Sequence, residues 1–438
     1  MSKWVSVTRA RGAAMRRIQA GNALSAFGLG FTVPYLYVYV AQVRDLGVTT
    51  AGVVLAVFAM AALVVLPFTG RVIDRRGPLP VLVAAALLAA VGAAGLGLSD
   101  TVPSAVLSAT LLGAGTAVMQ PALATMIVWC SDSTTRTRAF AMQFFLQNLG
   151  LGLGGLIGGH IVDASRPSSF LLLFGIEAVM FLVLAGIGLT VRLPGGAVLP
   201  GARPSGTGGR GGMRALLGHR AMVQLLVLGF VLFFACYGQF ESGLAAYGTE
   251  AAGIEPATLG TALAANTAVI VAAQFLVLRF VERRSRSKVI AAVGIIWAVA
   301  WLAAGWAGLG QGSQAMATAA FISTYALFGL GEAMLSPTVA PLVADLAPEG
   351  TVGQYNSAFA LVKQLALAIG PAVGGPMGAT LHGPYIVTFV LFSLAITALA
   401  LRMGKRLTPA QDRPWLAAKS RVVAVHMPDE SDSVAAAR

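Results

Sequence analysis

Residues 115–121 read GTAVMQP, and residues 331–337, 216 positions further on, read GEAMLSP. The same offset carries GGLIGG (154–159) onto GPAVGG (370–375). Upstream, GRVIDRR (70–76) returns as LRFVERR (278–284) at an offset of 208. Two halves in parallel order, each about 200 residues long and almost wholly apolar, have the organisation of a duplicated membrane carrier. Two similar bundles facing each other can rock about a shared central site and open it to either side in turn.

Composition sets the medium. Of 438 residues, 57% are hydrophobic and 11% charged, and the mean hydropathy is +0.79. A soluble chain of this length needs far more charge to cover its surface, so the solvent is lipid. A net charge of +13 would suit a nucleic-acid partner, but the basic residues sit in short stretches between apolar runs, the pattern that orients a chain in a membrane. Cys130 and Cys236 fall within or beside apolar segments and make no disulfide framework. The four histidines have no metal-ligand spacing, so neither metal nor cofactor is expected. The basic leader of the first apolar run (Lys3, Arg9, Arg11, Arg16, Arg17) marks a retained first helix rather than a cleaved signal. The richness in Ala and Gly suggests a bacterial source.

A spanning helix needs roughly 20 apolar residues. Twelve such spans are legible: 18–41, 50–70, 80–98, 104–129, 138–162, 169–191, 221–246, 256–280, 289–309, 315–343, 353–378 and 385–404. With connections alternating between two sides, 27 of the 30 basic residues fall on one side. Arg44 and Arg166 fall on the other, and Lys363 lies inside a span. The positive-inside bias then places both termini in the cytoplasm of a multi-pass plasma-membrane protein. The expected organisation is an N-terminal tail (1–17), a six-helix bundle (18–191), a Gly/Pro/Arg-rich cytoplasmic linker (192–220), a second six-helix bundle (221–404) and a polar cytoplasmic tail (405–438).

Twelve spans in a six-plus-six arrangement, with GRVIDRRG between spans two and three, resemble the major facilitator superfamily. The family's loop motif is matched by Gly70, Asp74, Arg75 and Gly77, while Pro78 and Leu79 stand where two further basic residues are usual. The resemblance implies an all-α fold of two pseudo-symmetric six-helix bundles. It also implies that this loop stabilises one conformation, Asp74 pairing with neighbouring arginines and a helix N-terminus. A solvated turn that only fixes topology is the other reading of the loop. The likeness is nearest to the twelve-span drug:proton antiporters, whose span-five motif is matched by GPAVGG in the second half. In span five itself Gly155 replaces the proline, and Ala109 stands where the group's span-four arginine is usual. The glycines also have a packing reading: Gly154, Gly158, Gly370 and Gly374, with Pro371, let helices approach closely in lipid. GLGLGG (150–155) lies within an apolar span without a preceding strand and is no nucleotide loop.

Four formal charges lie deep within spans: Glu177, Glu241, Glu332 and Lys363. Each costs at least ~2–3 kcal/mol if left unpaired near mid-membrane, so each pairs, faces water or is neutral. The family architecture turns spans seven, ten and eleven towards the centre, which makes Glu241, Glu332 and Lys363 the proton-coupling candidates and places Glu177 on an outer helix, where a structural role is equally expected. Glu332 and Lys363 are expected to form a buried ion pair. A carboxylate taken out of water favours its protonated form, the property a proton-coupled carrier needs. Glu241 sits beside Tyr237, Gln239 and Tyr247 and could instead serve an outer gate.

Phe27, Phe31, Tyr35 and Tyr39 recur at spacing four and form a helical stripe, which serves either packing or substrate. With Gln120 and Met126 on span four, Gln143, Gln147 and Asn148 on span five, and Asn266 on span eight, the expected binding set is Phe31, Tyr35, Gln120, Gln147, Asn148, Tyr237, Gln239 and Asn266. Rings with amides suit an amphipathic organic molecule better than a small ion. The expected function is proton-coupled export of such a compound by a monomer in the bilayer, with a metabolite or sugar importer as the alternative on the same fold and a lipid flippase as the alternative of another class. A catalytic constellation is absent from the sequence, as is a GxxxxGK[ST] loop for ATP.

The orientation is open to direct test. In intact cells a cysteine at Ser205 should resist a membrane-impermeant maleimide, whereas one at Glu250 should react. Labelling at position 205 would reverse the assignment.

Overall fold

The computed structural model describes residues 2–32, 35–163, 165–193, 212–310 and 312–416. Most of the expected linker (194–211) and of the C-terminal tail (417–438) lies outside these residues. The chain is helical almost throughout, because a backbone in lipid must satisfy its own N–H and C=O groups. The N-terminal half contains α1 (Ser2–Thr32), α2 (Val48–Arg76), α3 (Pro78–Gly97), α4 (Val102–Cys130), α5 (Arg136–Ile161) and α6 (Pro167–Thr190). The C-terminal half contains α7 (Arg220–Ala235), α8 (Pro256–Val281), α9 (Arg286–Ala307), α10 (Gln314–Leu346), α11 (Val352–Thr380) and α12 (His382–Gly404).

Among the described residues eleven helices are long and apolar enough to cross a membrane, and a twelfth span follows if α1 is joined to the segment Leu36–Val43 across a 42° bend. Span one is thus broken rather than straight over 18–41; its second piece ends in a π-helical turn, Tyr39–Val43. Span seven is also broken: α7 stops at Ala235, a 3-10 turn covers Tyr237–Gln239, and a short helix, Gly243–Glu250, completes the crossing. The uninterrupted helix expected over 221–246 is therefore corrected. Gly238 and Gly243 in this stretch favour the break, since a glycine-rich turn gives up little helix stability. Pro67, Pro121, Pro337, Pro341, Pro371 and Pro376 lie within helices, tolerated in membrane bundles where neighbours and local adjustment re-satisfy the freed backbone groups.

The duplication read from sequence recurs in the packing. In the first half α1 packs on α5, α2 on α4, α3 on α4 and α3 on α6. In the second half α7 packs on α11, α8 on α10, α9 on α10 and α9 on α12. The glycine contacts repeat at both offsets. Gly154 seats against the Phe27 carbonyl and Gly30, and Gly370 seats against Gly238, where a Cβ would come 2.7 Å from Cα. Gly113 lies on the Phe58 backbone and Gly329 on that of Asn266. Gly158 meets Phe31, and Gly374 meets the Gln239 side chain. Four of the five packing residues expected from sequence therefore sit at helix crossings; Pro371 does not, being exposed on α11. Its ring points away from the α7 crossing because Gly370 and Gly374, four residues apart, occupy that face.

Two seams join the halves, α2 with α11 and α5 with α8, and α5 also meets α10.

Adding a methyl group at a crossing should be costly. Gly154→Ala and Gly370→Ala should each destabilise the protein by about 1–3 kcal/mol through overpacking, read as a lower melting temperature in detergent. Gly186→Ala, with nothing within 4 Å of its Cβ, should leave the melting temperature unchanged; equal behaviour of all three would refute the crossing assignment.

Candidate functional site

The loop motif joins the two halves at one end of the bundle. Gly77 ends α2 and opens α3 at φ +85°, a conformation that disfavours any side chain. Gly70 lies where a Cβ would come 2.5 Å from the Gln354 Cα, so only glycine lets α2 close on α11. Asp74, one turn further, accepts from the backbone N–H groups of Gly353 at 2.7 Å and Gln354 at 3.0 Å. These are orphan donors of the first turn of α11, so a carboxylate of one half caps a helix of the other. The implied helix-terminus partner of Asp74 is present. The implied arginine partner is absent among the described residues, and Arg75 is exposed.

The repeat supplies a second link between the halves at the same end. Glu282 stands 208 residues after Asp74 and binds both the Nε and Nη2 of Arg138, at the start of α5. Arg138 is 70% exposed, so the pair is worth at most about 1 kcal/mol. A third link is better enclosed: Asp345 at the end of α10 accepts from Arg136 of α5 and, at 2.7 Å, from the buried Arg286 of α9. The start of α5 is itself held by Asp132, which accepts from Thr134 and Thr135. Burial opposes its charge, yet the hydroxyl and N–H donors of those two threonines leave its carboxyl below the ordinary range. On the C-terminal side, Asp412 accepts from Ser285 Oγ and the Ser287 N–H, and Arg286 donates to the Gln411 carbonyl, which docks the segment Pro409–Asp412 under α9. Two uncharged links, Asn356 Nδ2 to Thr125 Oγ1 and Ser336 Oγ to the Phe140 carbonyl, continue the closure inward.

Above this closure, between the halves, lies a cavity of about 230 Å³. Its walls come from α2, α4, α5, α7, α10 and α11. Rings of Phe140, Phe144, Phe233, Tyr237 and Phe359 alternate with the amides of Gln120, Gln143, Gln147, Asn356 and Gln364. Two charged residues line it, Glu332 and Lys363. Glu332 is 3% exposed and accepts from Asn266 Nδ2 at 2.8 Å, with Tyr237 beside it. The Lys363 ammonium lies over the Phe233 ring, 5.1 Å from its centroid, and 6.0 Å from that of Tyr237.

The structure brings together part of the expected set. Gln120, Gln147 and Tyr237 line the cavity, and Asn266 stands behind its wall, holding Glu332 and the Tyr325 carbonyl. Phe31 does not line it: the ring is buried, edge-on to Phe27 and beneath Gly158. Tyr35 donates to the Gly155 carbonyl, and Tyr39 stacks on Phe170, so the aromatic stripe is packing of the broken span one against α5 and α6. Asn148 turns back to the Phe144 carbonyl. Gln239 is wholly buried, donating to the Phe234 and Gly370 carbonyls and accepting from Tyr385; it splices the broken span seven. The direct Glu332–Lys363 ion pair is also corrected, since one group is committed to Asn266 and the other to ring faces. Glu177 is buried against Thr32 within the first half, away from the cavity. Glu241 sits exposed on the break of span seven, outside the cavity lining.

Phe140, Phe144, Phe233, Phe359, Asn356 and Gln364 also line the site and went unselected in the sequence. Gln364 adjoins Lys363 and Phe359 lies one turn before it, a pattern that a span-eleven charge could have flagged.

A family model described as Major Facilitator Superfamily matches residues 20–371 and 249–426. The chain belongs to the major facilitator superfamily. Members of this family are transporters of small molecules and not enzymes. The chain is 23% identical over 416 residues to the uncharacterized MFS-type transporter YttB of Bacillus subtilis (strain 168), covering 91% of this chain and 97% of the relative. It is 25% identical over 341 residues to the multidrug resistance protein MdtH of Aeromonas hydrophila, covering 76% and 80%. Its fold is that of the transporter FucP in the outward conformation, with a TM-score of 0.72 at 15% identity over 90% of this chain and 99% of that one.

The latch can be tested on this superfamily member directly. A charge-assisted hydrogen bond contributes about 1.5–3 kcal/mol, so Asp74→Ala should raise labelling of a Gln120→Cys reporter from the latched face by tenfold or more, and Asp74→Asn by less. Labelling identical to the parent in both variants would return Asp74 to the solvated-turn reading.

Proposed function

We propose that this superfamily member exports hydrophobic or amphipathic small molecules by alternating access, driven by inward proton movement. The observation that carries the reading is the central cavity. It lies at the interface of two pseudo-symmetric halves, and its lining pairs aromatic faces with the amides of Gln120, Gln147 and Gln364, which make no hydrogen bond among the described residues. Such a lining desolvates an apolar body while orienting a few polar atoms. The efflux direction is supported by the name of the relative MdtH, a multidrug resistance protein. The protein works as a monomer in a bacterial plasma membrane.

On the positive-inside orientation, the Asp74, Glu282 and Asp345 links close the cytoplasmic end, and the described state is the outward-facing one. In this reading Glu332 is the coupling residue. Its carboxylate accepts from Asn266 when ionised; protonation weakens that bond, since a neutral carboxyl is the poorer acceptor, and leaves Lys363 as the net charge of the cavity. The outward and inward states solvate that charge differently, so the proton biases the equilibrium between them. Glu241, exposed on the span-seven break, is the second carboxylate on the path, and Glu177 serves the packing of the first half.

In proteoliposomes, Glu332→Gln should reduce transport driven by a pH gradient at least tenfold while leaving substrate exchange at equal pH near the parent rate. Glu241→Gln should have the smaller effect. Parent-level pH-driven transport by Glu332→Gln would remove Glu332 from the coupling mechanism.

A further inference from the structure

We infer that Lys363 forms an anion subsite and that the cargo is an amphipathic organic acid, its carboxylate held by the Lys363 ammonium and its apolar body against the surrounding rings. The inference rests on the reading of the cavity as the cargo site and narrows it to one class.

Four observations lead there. Lys363 makes no hydrogen bond and no ion pair with the protein among the described residues, although its ammonium lies deep between the halves. Ring faces partly compensate an ammonium, but they do not accept its three N–H bonds, and a cation inside a membrane protein calls for an anion or water. The one acidic residue of the lining, Glu332, is 3% exposed and already accepts from Asn266 at 2.8 Å. It lines the cavity and its charge attracts the Lys363 ammonium without an ion pair, but its carboxylate is already engaged by Asn266, which leaves the three ammonium N–H groups without an acceptor. Finally, the side-chain amides of Gln120, Gln147 and Gln364 make no hydrogen bond among the described residues, and their NH₂ groups suit carboxylate oxygens.

The same geometry argues against a cationic cargo. The Phe233 and Tyr237 faces that could attract a cation carry the Lys363 ammonium instead. An arriving positive group would meet like charge in a medium that screens it poorly. A cavity of about 230 Å³ lies below the roughly 300–1,000 Å³ of drug-sized sites, so the preferred acid is small.

The test compares one scaffold in three charge states. 1-Naphthylacetate, 1-naphthylacetamide and 1-naphthylmethylamine are titrated into the purified full-length protein by calorimetry at pH 7. The acetate should bind at least tenfold more tightly than the amide or the amine. K363R should keep that preference. K363Q should bring acetate down to the level of the amide and leave amide binding unchanged, a pattern that loss of fold does not produce. If the amide or amine matches the acetate in the parent, or K363Q keeps the tenfold gap, the anion subsite is wrong while the amphiphile cavity stands. If the parent binds none of the three, the amphiphile reading falls and takes this inference with it.

Discussion

Apolar helices in lipid gain nothing from hiding one another, so this bundle depends on how closely its backbones can approach. Gly30 with Gly154, and Gly238 with Gly370, are the same contact made twice, with helix surfaces so near that a single methyl would separate them. Gly113 on Phe58 and Gly329 on Asn266 repeat the relation in a second pair of helices. These crossings set the tilt of α5 and α11, and those two helices carry both seams between the halves. Everything at the centre, including which amides and rings face the cavity, follows from that placement.

The links that close one end are built from charge rather than from packing, and this difference suits an interface that must part. The Gly30–Gly154 and Gly238–Gly370 crossings lie within each half and have no solvent alternative. The Asp74 cap on α11 and the Glu282–Arg138 pair join opposite halves at the polar margin, where water can replace either partner. The duplication is not strict here. Asp74 uses backbone N–H groups, which no side-chain change on α11 can remove, whereas Glu282 uses the side chain of Arg138. Asp345 strengthens the arrangement by joining a cation from each half, Arg136 and Arg286, and the docked Pro409–Asp412 segment supports Arg286 from below. Parting the halves therefore exposes Asp345 with one arginine still bound, a smaller loss than stranding a buried carboxylate alone.

The cavity joins the two kinds of constraint. A charge in a membrane span is tolerated only with a partner, and Glu332 finds one in Asn266 on the neighbouring helix. Lys363 finds ring faces and open space. Its position beside the amides of three different helices makes the cavity chemically asymmetric: the acceptor is already engaged by Asn266 and the donors are presented.

Much of this was legible in the amino-acid sequence. Hydropathy alone yields the spans, because lipid demands about 20 apolar residues for each crossing whatever the neighbours. The offsets of 216 and 208 yield the halves, and the small residues at those offsets mark the crossings. Gly70, Asp74 and Gly77 were identifiable because their roles are local or backbone-based: a close approach, a cap, a positive φ. Rotational placement was not legible. A stripe such as Phe27–Phe31–Tyr35 has the same spacing whether it faces a cavity or a sister helix, and only the α1–α5 crossing turned Phe31 beneath Gly158. Gln239 and Tyr237 stand two residues apart, yet one splices a broken helix and the other faces the cavity, because the 3-10 turn redirects them. Glu332 and Lys363 share a cavity without pairing for the same reason. Spacing along a chain records which groups can meet, while the choice among them is made by helix rotation and breaks, which depend on contacts hundreds of residues apart.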